Sequence, residues 1–134
     1  MPKLSSSRAQ VSIEFLIIIG AVFFFTSILL LGIQKNNEDK IYTHQNIQLK
    51  EIALTVQNEI NLALESSEGY SRNFQIPEKA GSLDYEITIA AGMIYLKTTN
   101  NKHALAIPAA EVTGNINKTQ NTITKTNGVI YLNQ

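Results

Sequence analysis

Residues 10–33 read QVSIEFLIIIGAVFFFTSILLLGI, and the meaning of that run decides what the rest of the chain is for. Between residues 15 and 33 no side chain is charged, and only Thr26 and Ser27 interrupt Ile, Leu, Phe, Val, Ala and Gly. A helix rises about 1.5 Å per residue, so the run covers about 28 Å, close to the hydrocarbon thickness of a bilayer. A spanning helix near one end turns the remainder into a tethered domain.

The flanks give the orientation. The leader MPKLSSSRA carries Lys3 and Arg8 and no acid, whereas Lys35, Glu38, Asp39 and Lys40 cancel after the run. Positive charge on the N-terminal side holds that end in the cytoplasm and sends the C-terminal part outward. A secretory signal peptide has a shorter apolar core of about 7–15 residues and a small-residue cleavage site. Here the run is longer and LLLGIQKNN offers no such site, so the helix is expected to be retained. Apolar length alone fits an uncleaved signal anchor equally well. Glu14 separates the readings, because a carboxylate at the mouth of an apolar run is costly and calls for a partner or a task.

Ala9-Gln10-Val11-Ser12-Ile13-Glu14, with Arg8 before it and an apolar helix after it, resembles the class III signal peptide of archaeal type IV pilins. The family pattern is Q-x-S-x-E ahead of an apolar stretch. Gln10, Ser12 and Glu14 match it, and Ile18 stands where Leu is usual. The resemblance implies that a membrane-embedded prepilin peptidase cuts between Ala9 and Gln10 and leaves the apolar helix in place. Recognition then falls on Arg8, Ala9, Gln10, Ser12, Glu14 and Ile18, and filament assembly on Gln10 and Glu14. The implied partners are the peptidase, other pilin subunits, the pilus assembly machinery and, before assembly, the membrane. Charge logic agrees with this scheme. A Glu14 buried among packed helices needs a cation, which the new amine of a neighbour's Gln10 would supply. Cutting also removes Lys3 and Arg8, the charges that hold the segment in place.

Composition narrows the rest. The 134 residues allow one small globular unit beyond the helix. Eleven basic residues balance eleven acidic ones; without Lys3 and Arg8 the side-chain charge is about −2. No basic patch follows the leader, which argues against nucleic acid as partner. The chain has no Cys, so disulfides and thiolate metal sites are excluded.

Beyond a charged collar over residues 34–40, Leu49, Ile52, Ala53, Val56, Ile60, Ala63 and Leu64 recur at steps of three and four, the stripe of an amphipathic helix. Ile47, Leu54 and Leu62 make the stripe wider than a lone surface helix needs. One helix over about 11–66 is expected, with Gly20 and Gly32 read either as points where it would bend or as places where helices approach closely in membrane or fibre. From Tyr70 the period changes to two. Tyr70, Arg72, Phe74 and Ile76 alternate with polar residues, as do Tyr85, Ile87 and Ile89. Ala90-Ala91-Gly92 reads as a turn into residues 93–96, followed by a short strand over 103–107. Asn127-Gly128 between β-formers is a strong hairpin signal. The expected fold is α+β. A leader (1–9) precedes a long helix (10–66), membrane or filament-core over about 11–33 and amphipathic over about 34–66. The helix packs on a small antiparallel β-sheet head (67–134), the lollipop outline of a pilin.

Catalytic constellations are missing. No nucleophile elbow, phosphate loop or metal-binding His motif occurs, and neither a cofactor nor a metal is expected. His44 and His103 read as solvated surface residues. Asn117-Lys118-Thr119 is the one N-x-[ST] triplet, which makes Asn117 a candidate glycosylation acceptor. The expectation is therefore a non-enzymatic subunit, major or minor, of an archaeal type IV pilus-like adhesive filament, a single-pass membrane protein before assembly. Its rival is a membrane-tethered extracellular binding module that carries the same signal without polymerising.

Overall fold

Good helix formers with neither Gly nor Pro between Gln34 and Ser66 carry the helical pattern through the charged collar. In the computed structural model the backbone is described for residues 5–134 and side chains for residues 10–134. Helix α1 (Ser5–Glu65) is 61 residues long and runs without interruption past Gly20, Gly32 and the collar. The chain divides into two units, the first ending at Ile41 and the second starting at Tyr42.

The second unit holds the core. Strands β1 (Ser71–Ile76), β2 (Tyr85–Ala90), β3 (Met93–Thr98), β4 (Ala104–Pro108), β5 (Thr113–Gly114), β6 (Thr119–Thr126) and β7 (Val129–Leu132) follow the helix. They form two sheets rather than the single one expected. One is a three-stranded antiparallel meander in the order β2-β3-β4, and the other has the order β1-β6-β7-β5. All pairings are antiparallel except β5 with β7, where two residues pair in parallel. The helix stripe Leu49, Ile52, Ala53, Val56, Ile60 and Ala63 is buried against Phe74, Ile76, Tyr85, Ile94, Leu96, Ile123, Ile130 and Leu132. The helix stripe packs against the buried apolar residues of both sheets, the kind of helix cover that small sheets use for stability. Leu64, expected in the stripe, is exposed, because it lies in the last turn beyond the covered face.

Turn chemistry closes the two hairpins. Ala91 and Gly92 both have positive φ, as do Asn127 and Gly128, the signature of type I′ turns. The helix contains no basic residue in its last turn, so a cation comes from elsewhere in the fold. Lys125 of β6 donates from Nζ to the Leu64 and Ser66 carbonyls at 2.7 and 2.8 Å, satisfying acceptors that the helix end leaves open.

Gly114 is fixed by close approach. Its φ is +114°, and a Cβ there would sit 2.0 Å from the Leu132 carbonyl oxygen. Gly114→Ala is therefore expected to break the β5–β7 pairing and to cost at least about 1–3 kcal/mol from backbone strain alone. A thermal melt of the full chain in detergent checks this, and an unchanged Tm would refute it.

Candidate functional site: an exposed helix and the clamp at its polar half

In the first unit, every large apolar side chain that the sequence assigns to the membrane run is exposed. Phe15, Ile18, Phe23, Leu29 and Leu31 each present more than 60% of their surface. Nothing among the described residues covers this stretch, which is long and apolar enough to cross a membrane. Its two hydroxyls are internally satisfied: Thr26 Oγ1 donates to the Val22 carbonyl and Ser27 Oγ to that of Phe23, both at 2.8 Å. The segment therefore offers no unsatisfied side-chain donor to its surroundings.

Among the motif residues, Gln10, Glu14 and Ile18 stand four apart on one face of α1, while Ser12 lies on the opposite side. Gln10 Nε2 reaches Glu14 Oε1 at 3.5 Å, the long limit of a hydrogen bond, and both residues are exposed. No cation approaches the carboxylate among the described residues. The side chains of Arg8 and Ala9, the other two recognition positions, lie outside the described residues.

The polar half of α1 is gripped along one flank by the three-stranded sheet. Tyr42 donates from its hydroxyl to the Lys102 carbonyl at 3.2 Å, and its ring lies 4.2 Å from that of His103. His103 is 3% exposed, with Nδ1 at 2.7 Å from Asn46 Oδ1 and Nε2 at 3.0 Å from Gln45 Oε1. This corrects the expectation of a solvated His103, since its ring fills the joint between helix and loop. His44 is exposed as expected. Further along, Gln57 Nε2 donates to the Pro108 carbonyl at 2.6 Å. These bonds cover both ends of β4, an edge strand without a single charged residue, and supply the protection such edges need. On the other flank Arg72 Nε lies 3.5 Å from the nearly buried Glu59 carboxylate.

The face of α1 turned away from the core carries Ile47, Leu54 and Leu62, exposed by 49%, 39% and 44%. Helical geometry puts them opposite Leu49, Val56 and Ile60, so the extra width in the sequence pattern is a second, uncovered stripe. Tyr42, Gln45, Asn46, Gln57 and His103 were not readable as a clamp, because they form no apolar period.

Glu86 pairs with Lys97 at 3.0 Å, and Asp84 pairs with Lys118 at 2.5 Å. The bond and charge of Lys118 hold the Asp84 carboxyl below the usual carboxylate range. Among the described residues no three His, Asp or Glu side chains converge as metal ligands would. A shallow groove of about 430 Å³ lies over the outer face of the three-stranded sheet, between Tyr95, Lys97, Ala104 and Ala106. Asn117 is exposed on the loop before β6. No family model, curated protein or solved structure matches this chain.

Proposed function

We propose that this chain is a structural subunit, major or minor, of a surface filament of the archaeal type IV pilus kind. Prepilin peptidase frees Gln10, the apolar segment anchors the chain in the membrane, and that segment then joins a core of packed helices. The β-domain faces outward and serves attachment. One observation carries the reading. A single uninterrupted helix devotes its second half to the core of its own domain and leaves the described side chains of its first half without cover. The uncovered stripe of Ile47, Leu54 and Leu62 supports polymerisation over a solitary tether, because a monomer gains nothing from exposing those side chains to water. Glu14 gives the segment a charge for a neighbouring subunit's amine to meet.

The test is the first residue of the protein in native membranes and in material sheared from the cell surface. A chain starting at Gln10 in the sheared fraction supports processing and filament membership together. A chain starting at Gln10 in membranes alone favours the non-polymerising binding module or a scarce minor subunit. Retention of residues 1–9 in both fractions would overturn the pilin reading and leave a signal-anchored ectodomain.

A further inference from the structure

We infer that Asn117 is an N-glycosylation acceptor and that Thr119 is kept for that role against the preference of the backbone. The inference rests on the outward placement of the β-domain proposed above. It begins from the loop's geometry. The main-chain N–H and C=O of Asn117 are both held by the Asn121 side chain, at 2.8 Å each. Asn121 is 1% exposed and also accepts from Asn133 Nδ2 at 2.8 Å, so the loop is fixed from beneath. The Asn117 side chain itself makes no hydrogen bond among the described residues and is exposed. Lys118 is turned down onto the domain, its Nζ at 2.5 Å from Asp84 Oδ1 and 5.2 Å from the centre of the Tyr85 ring. The two residues the triplet needs, Asn117 and Thr119, are left on the surface.

Thr119 is the telling position. Its φ is +75°, a left-handed conformation that is a genuine outlier for a β-branched residue and that Gly or Asn would adopt with less strain. Its hydroxyl bonds to nothing among the described residues, so no hydrogen bond among them repays the choice of Thr. A strained residue without a structural return points to a function, and a hydroxyl two places after an exposed Asn is what glycosyl transfer reads. The donor would be an oligosaccharide carried on a polyprenyl phosphate. Asn117 Nδ2 bonds to the anomeric carbon of the first sugar while the bond from that carbon to the phosphate oxygen breaks. The polyprenyl phosphate leaves with the electron pair, and one amide proton passes to a base of the transferase.

Trypsin releases residues 103–118 as one peptide, so its mass in protein from native cells reads the modification directly. An increment of sugar residues is expected. It should vanish in Asn117→Gln, persist in Thr119→Ser and vanish in Thr119→Gly. Asn117→Gln should fold normally, since Asn121 grips only the main chain at that position. Thr119→Gly made in a host without the transferase should melt higher than the parent, which separates loss of the hydroxyl from damage to the fold. A bare peptide from a chain that starts at Gln10 in sheared filaments would overturn this inference and leave the filament reading standing. Sugar on a chain that still carries residues 1–9 would do the reverse. An increment that survives in Thr119→Gly, or a lower Tm for that variant, would also overturn it.

Discussion

Tyr85→Ala is expected to unfold the β-domain at temperatures where the parent chain stays intact. Tyr85 has no exposed surface, and its ring packs among the helix stripe and both sheets. Its hydroxyl donates to the Pro77 carbonyl, so the side chain ties β2 to the segment that follows β1. Truncating a buried aromatic to Ala costs about 3–5 kcal/mol, and here it also strands a carbonyl. Domains of this size hold only about 5–15 kcal/mol in total. Tyr85→Phe keeps the ring and should cost about 1 kcal/mol, the worth of one hydrogen bond. Circular dichroism melts of the full chain in detergent distinguish the three proteins; equal Tm values for Ala and Phe variants would contradict the packing argument. Alkaline titration adds a second readout. Burial, reinforced by the Asp84 charge, pushes the Tyr85 hydroxyl up from 10.0 to about 12. The raised value means the folded state keeps a proton that the unfolded chain releases. The associated stability is full below about pH 10 and is lost as pH rises toward 12. Tyr85→Phe should flatten that loss.

Glu14→Gln is expected to leave peptidase processing largely intact, since the other recognition positions remain, and to lower the chain's share in sheared filaments at least about tenfold. On the filament reading, Glu14 enters an apolar core and meets the Gln10 amine of a neighbour. Removing one member of a buried ion pair costs about 3–5 kcal/mol, and about 1.4 kcal/mol already gives a tenfold change in an equilibrium. Gln keeps the shape and loses the charge. The long contact to Gln10 Nε2 within one chain is too weak to occupy the carboxylate, which leaves it available to a neighbour. Quantifying the variant in membrane and sheared fractions tests this. Normal filament incorporation with processing at Gln10 would show that Glu14 has no part in assembly.

The sequence made some of this legible and concealed the rest for physical reasons. The stripe from Leu49 to Ala63 was readable because burial on a helix repeats every three or four residues, and each of those apolar residues is buried. Leu64 shares the spacing and escapes burial because the helix ends one residue later. The β2–β3 and β6–β7 hairpins were readable from alternation around Ala91-Gly92 and Asn127-Gly128. Division into two sheets was not, since the pairing of β1 with β6 joins segments about fifty residues apart and leaves no local mark. The parallel contact of Thr113 and Gly114 is too short to have a period. His103 misled because a lone His among polar residues looks solvated; instead its N–H donates to Thr98 Oγ1 at 3.1 Å and its ring seats the helix. The motif Gln10, Ser12 and Glu14 was readable as a pattern, and among the described residues Glu14 meets only the long contact from Gln10.

Thr26 and Ser27 give the apolar segment an unexpected neutrality. Each hydroxyl spends its proton on the turn before it, so the segment's outer surface behaves as plain hydrocarbon from Phe15 to Ile33. Acyl chains are about as apolar as Leu side chains, and such a surface scarcely distinguishes one from the other. On the filament reading, exchanging a lipid shell for a shell of neighbouring helices would then be close to an isoergic swap of solvents. The step needs no unfolding and no compensating hydrogen bond. On the filament reading, whatever gives that exchange direction must come from packing density and from the charge of Glu14 at the mouth of the run, so the segment would change surroundings cheaply and be steered from its tip.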